Sequence, residues 1–189
     1  MSTLHVENLK GLSSGGNANK IIVPSGQTID ASAGTFVPSP GQVIQVQHGA
    51  SVNNAAFNTT LTSGATIYTG PTITPLSTSS KILIIAQHNV ENGTGTAGSI
   101  SGQTYIYTSI YAGNTNLGAA NNGVTGTIAN AAGYQTPKNM RQCSSGSVIY
   151  SPNSTSAITF YIKCSAGTNI GSGYWLFYGM GMTVMEIAG

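Results

Sequence analysis

The sequence predicts an all-β protein, and three features lead to that prediction. Short apolar bursts rich in β-branched and aromatic residues recur along the 189 residues, and Gly, Pro and Asn fill the intervals between them. Several bursts alternate apolar with polar residues, as TYIYTSIY at 104–111 and AITFYIK at 157–163 do. No stretch repeats apolar residues at the helical spacing i, i+3, i+4, i+7 over three turns.

Nine segments are predicted as strands, each bounded by turn residues. The first two, KIIVP and QVIQVQH, are short, and Pro-containing turns lie beside them at 23–26 and 37–41. The fourth contains the longest apolar run, ILIIA. The ninth contains GMGM, which predicts close strand packing with Met in the core. In chain order the segments are 20–24, 42–48, 65–69, 81–90, 103–111, 123–128, 147–150, 157–163 and 173–187.

The strand signals are unevenly distributed and predict three regions. Residues 1–48 are predicted to form a thin N-terminal stalk, and residues 49–80 a connector or the first strands of a head. Residues 81–189 carry the long strands and eight of the nine tyrosines, as a C-terminal β-sandwich head would. A thin stalk cannot bury its apolar residues alone, but three copies around an axis can. The residues expected in this trimer core are Ile21, Ile22, Val23, Ile29 and Phe36.

The chain is poor in charge. Charged residues make up 5% of it, against roughly 25% in an ordinary soluble domain. An uncharged polar surface gives little colloidal repulsion, so we expect a β-protein covered by copies of itself or by neighbours. A net charge of +2 with scattered basic residues argues against nucleic-acid binding. The five-residue apolar run is far below the ~20 residues of a membrane span, and the first residues do not read as a signal peptide.

Reactive residues are few and dispersed. The acids Glu7, Asp30, Glu91 and Glu186 are isolated in sequence. Each is interpreted as a turn residue or a partner of a nearby Lys rather than half of a glycosidase pair. His88 and Glu91 flank the end of a strand, where such a pair can orient a Ser, but no G-x-S-x-G elbow accompanies them. The sequence therefore predicts no enzyme.

Cofactor and metal sites are not predicted either. His5, His48 and His88 can each form a ring of three on a trimer axis, but no His-x-His pair gives such a ring a second layer. Cys143 and Cys164 lie beside strand segments, and free thiols are favoured over a disulfide because no secretion signal is found. The Gly-rich stretches lack the G-K-[ST] of a phosphate loop.

Aromatic residues concentrate on two predicted strands. Tyr105, Tyr107 and Tyr111 share one parity and so line one face of their strand. Alternation divides the aromatic residues of the last strand between its two faces, Trp175 with Phe177 and Tyr174 with Tyr178. We interpret both groups as core or trimer-interface residues, with contact to a glycan as the alternative.

Several longer stretches resemble a known family. The opening MSTLHVENLKG and the following GGNANKIIVPSGQTIDASAGTFVPSPGQVIQVQ are similar to a first strand and a VPSG-TLDAS-GT unit. Further on, ITPLSTSSKILIIAQHNV, SVIYSPNSTSAITFYIK and TVMEIAG are similar to the long strand, hairpin and terminal strand of a globular tip. In these stretches, which span about two thirds of the chain, it resembles small fibre-like structural proteins of marine tailed bacteriophages, of the cyanophage or pelagiphage type.

The resemblance implies a non-enzymatic homotrimer on the exterior of a virion, on tail or capsid. Its N-terminus would attach to other virion proteins, and a jelly-roll-like head would contact a host glycan or protein. The stretch 114–141 has no counterpart in the family, and the loops 92–102 and 114–138 are the expected contact regions. The candidate receptor contacts are Asn121, Asn122 and Tyr134. The alternative is a purely structural protein that decorates the capsid or braces the tail without a receptor.

Overall fold

The computed structural model describes residues 13–16, 18, 20–28, 38–51, 55–58, 65–93, 104–118, 125–130, 140–166 and 174–189. The chain divides into two compact units, Met1–Val37 and Pro38–Gly189. Every regular element within the described residues is a β-strand, which confirms the all-β prediction. None of these residues belongs to a helix long and apolar enough to cross a membrane.

Ten strands lie in the second unit. They are β1 (Val43–Ser51), β2 (Ala55–Asn58), β3 (Ala65–Ile73), β4 (Lys81–Gly93), β5 (Thr104–Ala112), β6 (Thr115–Asn116), β7 (Thr125–Asn130), β8 (Met140–Tyr150), β9 (Ile158–Ala166) and β10 (Tyr174–Ile187). Eight of the nine predicted segments coincide with strands, and the sequence did not predict the short β2 and β6. The predicted strand at 20–24 is wrong, because these residues have no regular structure.

The strands form two antiparallel sheets. Sheet A has the order β1–β10–β4–β8, and sheet B the order β3–β9–β5–β6. The short β2 pairs with β10 on the side of β1, since β4 occupies the other side of β10. In the same way β7 and β6 share one side of β5, because β9 occupies the other. The result is two five-stranded sheets, each four strands wide, with the first and last strands adjacent, which is a jelly roll.

β1 belongs to sheet A, so the segment 42–48, placed with the stalk from sequence, contributes an edge strand of the sandwich. The N-terminal unit shows a different local structure in its described part. The Gln27 N–H donates to the Pro24 carbonyl at 3.1 Å across a turn with Gly26 at φ +81°. A second turn lies before β1, where Pro40 directly precedes Gly41 at φ +87° and the Gln42 N–H donates to the Ser39 carbonyl. Both predicted Pro-containing turns are therefore present.

The core lies between the inner faces of the two sheets. From Ile82 to Val90 of β4, even-numbered residues point inward, and odd-numbered residues point out, as strand alternation requires. Within the described residues, the buried cluster that forms this core consists of Ile67, Tyr68, Ile73, Ile82, Ile84, Ala86, Val90, Ile110, Ala112, Phe160, Ile162, Cys164, Phe177, Met180, Met182 and Val184. The predicted packing role of the two GMGM methionines is confirmed.

A β-bulge in β10 changes which residues face the core. Tyr178 pairs with Asn89 and Gly181 pairs with Gln87, so β10 holds one extra residue. Gly179 in this bulge has φ +57°, a conformation that favours glycine. Because of the extra residue, Phe177 faces inward before the bulge and Met182 after it.

A second irregularity, in β3, buries two consecutive side chains. The register shifts between Thr66 and Tyr68, and both Ile67 and Tyr68 then lie in the core. Burial raises the pKa of the Tyr68 hydroxyl. A Cβ at Gly49 would lie 2.7 Å from that hydroxyl oxygen, so a glycine in β1 provides the space that the ring needs.

Candidate interaction surfaces

A row of aliphatic side chains crosses the outer face of sheet A. Val46 of β1 pairs with Met185 of β10, Met185 with Leu83 of β4, and Leu83 with Ile149 of β8. Directly opposite residues of an antiparallel pair share a face, so the four side chains lie side by side. Val46 is 51% exposed and Ile149 is 61% exposed. With strands about 4.8 Å apart, the row is about 14 Å wide.

Neighbouring positions extend this aliphatic row without adding much charge. Ile85, one step along β4, is exposed and pairs with Thr183 and Ser147. On the other side, Ile187 pairs with Val43 and with Lys81. An exposed apolar patch with polar residues around it is characteristic of a protein–protein contact surface.

The outer face of sheet B has a different chemistry. Tyr111 of β5 pairs directly with Tyr161 of β9, and Thr69 of β3 lies beyond Tyr161. The Thr72 and Thr159 hydroxyls are 2.7 Å apart on the same face. This face therefore presents tyrosine rings and hydroxyl groups where sheet A presents aliphatic side chains.

Lys163 completes the sheet B face. Its ammonium nitrogen lies 4.5 Å from the ring centroid of Tyr111 and 5.6 Å from that of Tyr161, within the range of a cation–π interaction. Among the residues of the five sheet B strands as the structure describes them, Lys163 is the one charged side chain. The face thus has a single positive charge held against two aromatic rings.

Polar groups also lie inside the sandwich. His88 of β4 is 2% exposed, and its Nδ1 has no hydrogen-bond partner. Its Nε2 is 3.4 Å from the Thr108 hydroxyl, and its ring is 5.8 Å from the ring of Phe177. Ser144, paired with His88 across β4 and β8, also has a buried hydroxyl without a partner. Burial lowers the pKa of the His88 imidazole to about 4, so the ring is neutral at physiological pH.

This arrangement does not provide a catalytic site. His88 and Ser144 are both buried among core residues, where a substrate has no access to them. The side chain of Glu91, which the sequence placed near His88, lies outside the described residues. In the described part of the chain, no three His, Cys, Asp or Glu side chains lie together as metal ligands.

Glu186 has a structural role that the sequence did not predict. It is completely buried, and its Oε1 accepts a hydrogen bond from the Leu76 N–H at 2.7 Å. The Gln45 side-chain amide donates to its Oε2 and also to the Thr74 carbonyl at 2.7 Å. Glu186 therefore ties the segment after β3 to sheet A, rather than pairing with a lysine.

The predicted trimer-core residues are only partly described. Ile21, Ile22 and Val23 are all exposed in the single chain, at 55%, 58% and 39%. Ile29 and Phe36 lie outside the described residues. Exposure of three consecutive aliphatic residues is what a segment with an intermolecular core requires, but their contact with other copies stays a prediction.

The predicted receptor contacts Asn121, Asn122 and Tyr134 lie outside the described residues. Among the aromatics, Phe177 is in the core and Tyr178 is half-buried on the opposite face, as alternation predicted for this pair. Tyr107 and Tyr111 are half-buried on the outer face of sheet B, so the core interpretation does not hold for them.

The remaining histidines and the cysteines occupy separate places. His48 is exposed on β1, and its Nδ1 lies 3.0 Å from the Thr183 hydroxyl. His5 is outside the described residues. Cys143 is an exposed free thiol, and Cys164 is a buried one; burial raises the pKa of the Cys164 thiol to about 12.

The sequence analysis predicted neither of the two outer-face surfaces, although the sequence contains a pattern that is consistent with each of them. In ILIIA every residue is apolar, and in a strand this makes both faces apolar. In AITFYIK, Tyr161 and Lys163 have the same parity and so share a face. Sequence alone does not tell which strands are neighbours, and the row of Val46, Leu83 and Ile149 exists only through that neighbourhood.

Similarity to known proteins is found among solved structures. No family model matches the chain, and no curated protein matches it. Three of the solved structures similar to it come from infectious bursal disease virus. A chain of the Gx strain structure is 14% identical, with 78% of this chain and 33% of that chain covered and a TM-score of 0.41.

Two further structures from that virus are similar at lower scores. The Gt strain structure is 13% identical over 88% of this chain and 42% of that one, with a TM-score of 0.35. A mutant VP2 protein in derived T=1 particles is 12% identical over 88% and 45%, with a TM-score of 0.26. This chain spans less than half the length of each. The assignment of the jelly roll rests on the strand order itself.

Proposed function

We propose that this protein is a virion structural protein: a homotrimeric short fibre or spike whose head is the jelly roll and whose N-terminal unit attaches it to the particle. The observation that carries the proposal is the exposed aliphatic row on sheet A. A charge-poor chain with such a row is poorly suited to life as a free monomer, because few charges oppose the association of its apolar faces.

The size of the aliphatic row indicates that more than one part of the chain would contribute to the trimer interface. A standard stable interface buries about 800 Å² on each partner, and a row about 14 Å wide and a few residues long covers much less. A second contribution is therefore needed. Ile21, Ile22 and Val23, exposed in the N-terminal unit, are suited to supply it.

In this assembly, the outer faces of the two sheets of the head point in opposite directions relative to the three-fold axis. Around a three-fold axis, a patch that faces inward meets its own copies. With the aliphatic row facing the axis, sheet B, as the other layer of the sandwich, faces away from it. The head then offers the host surface its tyrosine and threonine side chains together with the segments 92–102 and 114–138, the second of which contains β6 and β7, and three heads act together through avidity.

The attachment role is tested by deleting residues 1–19 in the phage. Because the sandwich is a compact unit that begins at Pro38, the shortened protein should fold and yet be missing from purified particles. Mass spectrometry of particles measures incorporation, and circular dichroism of the purified variant checks folding. Normal incorporation of the shortened protein would contradict attachment through the N-terminus. Unchanged adsorption of particles that lack the head would leave the purely structural role.

A further inference from the structure

Lys163 occupies an unusual position for a surface lysine. Its ammonium is held over Tyr111 and near Tyr161, which face each other across β5 and β9. Surface lysines usually extend into water or pair with a carboxylate. Here the two rings restrict the side chain, so less conformational entropy is lost when a ligand binds the ammonium.

No carboxylate from the strands around it neutralises this charge. The five strands of sheet B, as the structure describes them, contain no Asp or Glu. Two of the four acids of the chain, Glu7 and Asp30, precede the sandwich in sequence, and Glu91 belongs to a strand of sheet A. The fourth, Glu186, is buried with its own N–H donors. An anionic group on a ligand is the natural partner for Lys163.

We propose that the outer face of sheet B binds a carboxylate-bearing saccharide, such as a uronic acid unit of a bacterial surface polysaccharide. The sugar carboxylate accepts hydrogen bonds from the Lys163 ammonium. The Tyr111 and Tyr161 hydroxyls and the nearby Thr66 and Thr69 hydroxyls, which lie opposite Lys163 and Tyr161 on β3, provide donors and acceptors for the sugar hydroxyls.

The single charge selects among anionic ligands. A nucleic acid or a polyphosphate binds through several cations that neutralise several phosphates, whereas this face has one. A neutral sugar would satisfy the hydroxyl groups but leave the ammonium without a counter-charge. One carboxylate on each sugar unit matches one lysine in each head.

This inference rests on the proposed function, because it needs sheet B to face away from the trimer axis. Each fibre then carries three such sites. A weak single site suffices under these conditions, since attachment of one head raises the effective concentration of the others near the polysaccharide.

The experiment measures binding of the full-length protein to immobilised polygalacturonate by biolayer interferometry. Its fully methyl-esterified form is the matched neutral probe, because it has the same sugar chain without the carboxylate charge. We expect binding to polygalacturonate and at least about tenfold weaker binding to the ester. Lys163→Gln should weaken polygalacturonate binding by about tenfold, and Lys163→Arg should retain most of it.

Two further variants locate the site. Tyr111→Leu should weaken binding, because it removes the ring that holds the ammonium. Lys10→Gln is the matched control: it removes a lysine that precedes the sandwich in sequence and should leave binding unchanged. Dextran sulfate serves as a second polyanion, and wild-type protein should prefer polygalacturonate to it.

The proposal would be overturned if Lys163→Gln bound polygalacturonate as tightly as wild type, or if wild-type protein bound the methyl ester or dextran sulfate as tightly as polygalacturonate. A trimer that incorporates into particles but binds no acidic saccharide would overturn this inference and leave the proposed function standing. A monomer that binds polygalacturonate through Lys163 would overturn the proposed function and leave this inference standing.

Discussion

The outer faces of the two sheets differ far more than the sheets themselves. Both sheets are antiparallel and four strands wide, and both contribute aliphatic and aromatic side chains to one core. On the outside, sheet A presents Val46, Leu83, Ile149 and Met185 in a row, whereas sheet B presents tyrosines, threonines and one lysine. The inner pattern makes the fold, and the outer pattern distinguishes a face suited to other copies from a face suited to a polar ligand.

The chemistry of each face accounts for this division. Aliphatic side chains gain free energy when water leaves them, about 25 cal/mol per Å² of buried apolar surface, and they are indifferent to direction. Hydroxyl groups and an ammonium gain little from burial but impose direction on hydrogen bonds. Self-association therefore suits sheet A, and specific recognition suits sheet B.

A charge placed in the aliphatic row should give the largest effect. Wild-type protein is expected to sediment as a trimer at micromolar concentration, with three times the 19.2 kDa mass of the chain. Ile149→Asp would bury three unpaired carboxylates in the interface, each at a cost of several kcal/mol. The variant should sediment as a folded monomer in analytical ultracentrifugation.

The matched control places the same charge on the other face. Thr69 is exposed on sheet B, so Thr69→Asp should leave the trimer intact. If both variants stay trimeric, or if wild-type protein is a stable monomer, the division of roles between the two faces is wrong. If Thr69→Asp alone dissociates the trimer, sheet B and not sheet A faces the axis.

Removal of the Glu186 carboxylate should give the second largest effect, a decrease in the free energy of unfolding. It should leave both outer faces unchanged. In Glu186→Ala the Leu76 N–H loses its acceptor, and the Gln45 amide keeps only the Thr74 carbonyl. Loss of hydrogen bonds to a buried charged acceptor costs about 2–3 kcal/mol. Urea titration should show this decrease in the free energy of unfolding, with saccharide binding per folded molecule unchanged.

Glu186→Gln provides the comparison for this prediction. It retains one acceptor oxygen for the Leu76 N–H and should lose less stability than the alanine variant. A decrease below about 0.5 kcal/mol for Glu186→Ala, the range of an ordinary surface substitution, would show that the buried carboxylate does not hold the segment after β3.

The smallest expected effect depends on pH and comes from His88. The unfolded chain protonates this imidazole near its ordinary pKa of 6.5, whereas burial lowers the folded value to about 4. Between these values the unfolded state binds more protons, so the free energy of unfolding falls as the pH falls from 6.5 toward 4. The expected loss from this group is about 2 kcal/mol by pH 5, and it is only about 0.2 kcal/mol at pH 7.

His88→Leu should remove this part of the pH dependence when urea titrations at pH 7.5 and pH 5 are compared. His48→Gln changes an exposed histidine and should keep the wild-type dependence. An unchanged slope in His88→Leu would mean that the interior imidazole does not titrate with unfolding. If His48→Gln instead lost the pH dependence of the free energy of unfolding, the acid sensitivity would arise from the surface of sheet A and not from the interior.

Local sequence patterns determined the secondary structure of the head. TYIYTSIY, AITFYIK and ILIIA form β5, β9 and β4 because alternation and β-branching favour a pleated strand regardless of its neighbours. The turns at 24–27 and 39–42 each contain a proline and a glycine, and they follow from residue conformations alone, since these two residues preset the backbone angles. These features depend on residues close together in the chain.

Local patterns failed where a residue's environment comes from distant parts of the chain. KIIVP has the composition of a strand, but the structure gives it no strand partner in the described part of the chain. Simple alternation also fails in β10, where one extra residue at Gly179 brings Phe177 and Met182 to the same side. Such a bulge depends on the register with β4, which no local signal specifies.

Both candidate surfaces depended on tertiary structure. The residues of the aliphatic row come from four strands spread between positions 46 and 185, and the Lys163 site joins β5 to β9. The sequence by itself determined the types of side chain available: few charges, many hydroxyls and aliphatic residues on both parities of a strand. The jelly-roll strand order decided which of them lie together, because hydrogen-bonded neighbours in a sheet are separated by about 5 Å in space and by any distance along the chain.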